Sequence, residues 1–245
     1  MHTEKTPLWI GLRAAKANFV PGLIVQTAMV SVVAAYYTVP RVHGWLSVLA
    51  DIKSHGGLPF SAAAAVIAGG LFPEILTIAV FQRGKVKREN LANFAFNAAL
   101  WGCEGMIVDL FYRSQALMFG SHVDFPTVLK KVLVDQLVYT PFFATPFSVG
   151  CYEWKYQGYS LKGMGRVFTP GFYKSKSIPA LIASWGVWIP LVTVIYCLPS
   201  LLQFPLFTLG LTFWVMILTY VTSVQKRKSA LPISAPVGNA APLEP

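Results

Sequence analysis

Residues 177–225 read SIPALIASWG VWIPLVTVIY CLPSLLQFPL FTLGLTFWVM ILTYVTSVQ, without one Asp, Glu, Lys, Arg or His. A helix needs ~20 mostly apolar residues to cross a hydrocarbon core about 30 Å thick. This run is too long for one crossing and long enough for two. Leu198-Pro199 and Phe204-Pro205 supply the break, because proline lacks an N–H and disfavours helix in the residue before it. The expected spans are therefore 178–198 and 206–225. Upstream, 132–152 makes another, with Asp135 one turn from its start and Pro141 and Pro146 expected to kink it. A span over 91–119 carries Glu104, Asp109 and Arg113, one over 58–81 is interrupted only by Glu74, and 19–40 holds no charge. Between the first two, Trp45, Leu46, Val48, Leu49 and Ile52 recur at helical spacing beside Asp51 and Lys53, which suits a short helix lying in the membrane interface. Residues 229–245 form a Pro/Ala-rich tail expected to be disordered. The pattern predicts an all-α fold, a polytopic transmembrane bundle of about six helices in one domain over 1–228.

Composition agrees. Of 245 residues 55% are hydrophobic and 12% charged, with a mean hydropathy of +0.55; an ordinary soluble chain is about 25% charged. A water-soluble globule, a disordered chain, a coiled coil and a disulfide scaffold are excluded. The net charge of +10 reads as topology and attraction to anionic lipid rather than nucleic-acid binding. With both termini on one face, that face holds Lys5, Arg13, Lys16, Arg83, Lys85, Lys87, Arg88, Lys155, Lys162, Arg166, Lys174, Lys176, Lys226, Arg227 and Lys228. The opposite face holds Arg41, Lys53, Lys130 and Lys131. Basic residues concentrate on the cytoplasmic side of membrane proteins, so both termini are expected on the cytoplasmic or matrix side.

Cys103, Cys151 and Cys197 sit in apolar runs without CxxC spacing and read as small buried hydrophobes. His2, His43, His55 and His122 are scattered, so neither a metal nor any other cofactor is expected. No cleavable signal or transit peptide is expected ahead of residue 19. That fits a bacterial inner membrane, with a mitochondrial inner or peroxisomal membrane as the alternative.

A charge at a helix centre costs ~2.5–3.5 kcal/mol even on a lenient insertion scale, so Glu74, Glu104, Asp109, Arg113 and Asp135 must face protein or water. Asp109 and Arg113 stand one turn apart with the acid first, the favourable order for an ion pair. Glu104 lies about 140° around the helix from Asp109, so the two must address different neighbours. Glu74 and Asp135 have no partner on their own helices. Together with Gln136, these residues are the candidates for a polar path. The alternative is that the Asp109–Arg113 pair only neutralises itself inside the bundle. Trp101, Phe111, Tyr112, Trp154, Trp185, Trp188 and Trp214 read as interface belt or helix packing. Ala95, Ala98, Ala99 and Gly102 read as a close helix contact. No catalytic triad, phosphate-cradling loop or paired metal-binding aspartates are present, and no enzyme activity is expected.

The stretch 129–136, Leu-Lys-Lys-Val-Leu-Val-Asp135-Gln136, followed by Pro141 and Phe147, resembles the signature of the Mpv-seventeen and 22-kDa peroxisomal membrane protein family. That signature has a Lys-rich helix start, Asp-Gln, then Pro six and Phe twelve residues after the Asp. The segment 105–112 (GMIVDLFY) is similar to the family's Gly-Pro-x-x-His-x-Trp-Tyr, Trp185 and Trp188-Ile189-Pro190 to its Trp-x-x-Trp-Pro, Leu198-Pro199 to its Val-Pro, and Trp214 to its late tryptophan. Residues 70–74 are more loosely similar to its Gly-Asp. Met106 and Asp109 stand where the family has Pro and His, Ile189 is an insertion, and Thr193, Tyr196 and Gln203 replace Gln, Asn and Arg. The resemblance implies a small protein of mitochondrial inner or peroxisomal membranes, associated with a weakly selective pore and bringing no catalytic residues.

Two functional readings follow. One is a pore or small-solute conduit lined by Asp135, Gln136, Asp109, Arg113, Glu104 and Glu74. The other is a structural or lipid-organising membrane protein without transport. The partners expected are membrane lipids, with small solutes or ions under the first reading and an oligomer open under either. No nucleic acid is expected.

Overall fold

The structure is a computed structural model that describes residues 6–160, 165 and 169–230, with side chains described up to 216. It is all helical among these residues. The chain runs as α1 (Pro7–Thr38), α2 (Pro40–Phe81), α3 (Arg88–Phe119), α4 (125–156), α5 (Pro170–Tyr196) and α6 (Ser200–Ala230). Four of these, α1, α2, α3 and α5, are long and apolar enough to cross a membrane, and α6 has a shorter apolar stretch over Ser200–Met216. Large apolar side chains such as Phe19, Leu23, Trp45, Leu117 and Phe142 point outward. Lys53, Asp109, Asp135, Gln136 and Gln203 are buried. Apolar outside and polar inside is the arrangement a lipid solvent imposes, since charges there must face the bundle interior.

Several boundaries differ from the expected ones for identifiable reasons. Helix α1 begins at Pro7, not residue 19, because Thr6 caps it through Oγ1 to the Trp9 N–H (3.4 Å) and Pro7 occupies the first turn. The segment expected to lie in the interface is the first part of α2, a 42-residue helix bent at Gly57. Gly57 has φ 53° and ψ −138°, a conformation side chains resist. The bend falls where the sequence separates the interfacial segment from the second span. Pro199 ends α5 as expected, whereas Pro205 lies inside α6. Residues 229 and 230 belong to α6, and the rest of the expected tail lies outside the described residues.

Prolines within the bundle are accommodated by borrowed donors. In α4 the turns widen over Asp135–Ala144, where each N–H reaches back five residues. Pro141 and Pro146 have no N–H to offer the carbonyls of Gln136 and Pro141. Those two carbonyls accept from α5 instead, from Trp185 Nε1 (3.1 Å) and Tyr173 OH (3.0 Å). Within α5, Pro190 leaves the Gly186 carbonyl free, and Gln26 Nε2 of α1 donates to it and to Val187 (3.1 Å each). Water is absent from the hydrocarbon, so such substitutes are what make a proline tolerable there.

Helix α1 packs chiefly on α5, α2 on α3, and α6 touches α1, α2, α3 and α5. The apolar core joins Val25 and Met29 of α1, Val108 and Tyr112 of α3, Leu191, Ile195 and Tyr196 of α5, and Leu202 and Phe204 of α6. Gly105 lets α3 approach α2 closely: a Cβ there would sit 2.8 Å from the Ser61 carbonyl oxygen and collide with Ala65. Overpacking of that kind costs about 1–3 kcal/mol. Ala98 and Gly102 lie at the same contact, against Gly70 and Val66.

Candidate functional site

The six sequence candidates separate into three places. At the first, Glu74 accepts a hydrogen bond from Asn90 Nδ2 of α3. Lys155 of α4 is near enough to interact with Glu74 electrostatically and donates to Asn93 (2.8 Å). Lys176 reaches Glu153 (3.5 Å). The start of α3, the end of α4 and the start of α5 therefore meet at one end of the bundle, while Tyr37 OH of α1 donates to the Cys197 carbonyl elsewhere, beside the α5–α6 turn (2.6 Å).

The second place is Asp109. Its Oδ2 accepts from Lys53 Nζ (2.8 Å), Ser61 Oγ (2.8 Å) and Arg113 Nη2 (3.0 Å). The expected Asp109–Arg113 pair is present, but it is the half-exposed part of a larger network. Lys53, expected beside a short helix in the membrane interface, is turned inward and only 3% exposed. Its ammonium also reaches the Gly57 carbonyl (3.4 Å) and lies over the Phe204 ring (5.5 Å). Lys53 and Ser61 straddle the bend at Gly57, so this network fixes the angle between the two parts of α2. A buried carboxylate recruits a second cation because one half-solvated arginine leaves it undercompensated.

The third place joins Glu104, Asp135 and Gln136 around a half-open cavity of about 240 Å³ between α3, α4, α5 and α6. Asp135 Oδ1 accepts from Gln136 Nε2 (2.9 Å) and Thr140 Oγ1 (3.2 Å), and Oδ2 accepts from Tyr196 OH (2.6 Å). The wide turns of α4 make this possible, because residues five apart become neighbours there rather than lying about 140° apart as in an α-helix. Glu104 Oε1 accepts from Ser148 Oγ (2.9 Å), while Oε2 is buried without a hydrogen-bond partner. Gln136 Oε1 and Tyr139 OH are likewise buried and unpartnered. Among the described residues neither Glu104 nor Asp135 has a basic group within ion-pair distance. Lys131, one turn before Asp135, is buried but does not line the cavity. Glu104 is at the middle of the 32-residue α3, so the site lies at mid-depth of the bundle.

The rest of the wall is mostly apolar and aromatic: Trp101, Tyr112, Tyr139, Trp188, Phe207 and Trp214, with Ala144, Ala180, Val192 and Leu211. Four aromatics that the sequence suggests as belt or packing residues line this cavity, and Trp185 caps a carbonyl. The cysteines differ from expectation too. Cys103 is exposed and the other two half-buried, all free, because an apolar thiol can face lipid as readily as protein. No cluster of three potential metal ligands occurs among the described residues. Tyr196 and Ser148 carry no signal in an apolar sequence run.

An apolar-coated helical bundle with charges gathered inside defines a polytopic integral membrane protein. No family model, curated protein or solved structure matches the chain.

Proposed function

We propose that this protein is a small-solute conduit whose selectivity site is the cavity bearing Asp135 and Glu104. The observation that carries the reading is the pair of carboxylates on α3 and α4 at mid-depth, sharing one half-open cavity without a cation among the described residues to neutralise them. A purely structural acid is expected to look like Asp109, saturated with cations and hydrogen bonds. Acids at a constriction favour cations over anions. Asp135 and Gln136 are the path residues in this reading, joined by Glu104, while Asp109, Arg113 and Glu74 support the helices. The resemblance over residues 105–214 points the same way. The charge distribution supports both termini on the cytoplasmic or matrix side, in a bacterial inner membrane or an organellar counterpart.

The structural reading retains one specific support, the Lys53–Asp109–Arg113 network, which holds helices together with no solute involved. Proteoliposomes containing the purified protein separate the two. A graded series of small solutes is expected to equilibrate up to a size limit, and Asp135→Asn is expected to change the rate for cations. Liposomes no leakier than protein-free controls would refute the conduit.

A further inference from the structure

The same cavity carries information about what it holds. Its volume of about 240 Å³ exceeds the ~150 Å³ in which a dry apolar cavity takes up benzene, so a molecule of about ten non-hydrogen atoms fits. Three residues of its lining, Glu104, Gln136 and Tyr139, each carry a buried polar atom without a hydrogen-bond partner: Oε2, Oε1 and OH. Glu104 is 8% and Gln136 3% exposed. Unpaired buried acceptors cost about 1–3 kcal/mol each, more when charged, and such a cost is kept where something else satisfies them.

The chemistry of the wall selects among occupants. An anion meets Asp135 and Glu104 with no arginine or lysine in the lining among the described residues. A sugar brings hydroxyls but no positive charge to set against the two carboxylates, and most of the wall is apolar. A hard metal ion demands about six oxygen ligands, and no group of three potential ligands is present among the described residues. An organic cation has what remains: an N–H or N–CH₃ face for the carboxylates, and a positive charge spread over apolar carbon for the aromatic side chains Trp188 and Trp214 of the wall. We infer that this cavity binds a small organic monocation, an amine or quaternary ammonium with an apolar or aromatic body. The inference rests on the conduit reading for its purpose but not for its geometry.

The test uses the full-length protein in detergent, titrated with benzyltrimethylammonium, benzylsulfonate and benzyl alcohol. Binding is followed by calorimetry and by the fluorescence of the cavity tryptophans. The cation is expected to bind saturably, the sulfonate not at all, and the alcohol about tenfold or more weakly than the cation. Glu104→Gln keeps the acceptor for Ser148 and is expected to weaken the cation about tenfold or more. Trp188→Leu is expected to weaken it several-fold, and Arg113→Gln, away from the cavity, to leave it unchanged. Retained thermal unfolding of each variant shows that the bundle is intact. No saturable cation binding, equal affinity for the sulfonate, or undiminished binding by both Glu104→Gln and Trp188→Leu would overturn the inference. Binding without flux in proteoliposomes would refute the conduit and leave the inference standing; flux of neutral solutes without cation binding would do the reverse.

Discussion

Glu104 and Asp109 lie five residues apart on α3, each more than nine-tenths buried, and their surroundings have little in common. Asp109 is met by an ammonium, a guanidinium and a hydroxyl, all within 3.0 Å of one oxygen. Glu104, a residue of the cavity wall, is met by a single hydroxyl, and its other oxygen is buried without a hydrogen-bond partner. One acid is paired with cations, and the other, among the described residues, is not. Burial alone does not separate the two acids; the cations around Asp109, and their absence among the described residues around Glu104, do.

The comparison breaks most visibly when Asp109 loses its charge. Asp109→Leu leaves Lys53 buried and unpaired, and removing one partner of such a pair costs about 3–5 kcal/mol. Thermal unfolding in micelles is expected to shift sharply downward. The double variant Lys53→Met with Asp109→Leu is expected to recover most of the loss, because an apolar replacement of a whole buried pair is often neutral. Failure of the double variant to recover would mean that Lys53 serves something other than Asp109.

A smaller effect is expected at the widened turns of α4 that present Asp135. Trp185→Phe removes the donor to the Gln136 carbonyl that Pro141 leaves open. An unsatisfied buried acceptor costs about 1–3 kcal/mol. Gln26→Leu removes the equivalent donor below Pro190, where Gly186 is the acceptor, and is expected to cost a similar amount. If Trp185→Phe lowers the unfolding temperature no more than an exposed substitution does, the wide turns of α4 have another source of stability.

Smaller again is Glu104→Gln. Neutralising an uncompensated acid relieves its desolvation and keeps the Ser148 hydrogen bond, so the bundle is expected to change by less than about 1 kcal/mol and toward greater stability. A large loss would place Glu104 in the scaffold beside Asp109.

The least effect belongs to the exposed cap of α4. Asp124 accepts from the Thr127 N–H and hydroxyl (3.0 Å each), and these bonds hold its carboxyl below the usual Asp range. A lowered folded pKa contributes stability above the unfolded value, and that contribution is lost as pH falls through the folded one. Asp124→Ala is expected to lower the unfolding midpoint slightly at neutral pH and to remove that part of the acid dependence. An unchanged acid limb in the variant would refute the assignment.

The helices were legible because hydropathy and proline are local signals. The charge-free run 177–225 announced two helices, and the 140° between Glu104 and Asp109 announced that they face different neighbours. Composition also made the buried acids stand out. Their partners were not legible, because pairing across helices depends on rotation and tilt, which a single periodicity does not set. Lys53 lay among interfacial residues and gave no sign of turning inward. Tyr196, which donates to Asp135, sits in an apolar run where a tyrosine reads as packing. Pro141 announced a kink, but its widened turns depend on a carbonyl cap from Trp185, forty-nine residues away.

The most direct test is the reversal potential of planar bilayers containing the protein, held across a gradient of an organic-cation chloride. The wild type is expected to reverse near the equilibrium potential of the cation. With Glu104→Gln and Asp135→Asn combined, it is expected to reverse near zero. A wild type that passes no current, or a double variant whose reversal potential matches the wild type, would contradict the assignment of the two uncompensated acids to a cation path.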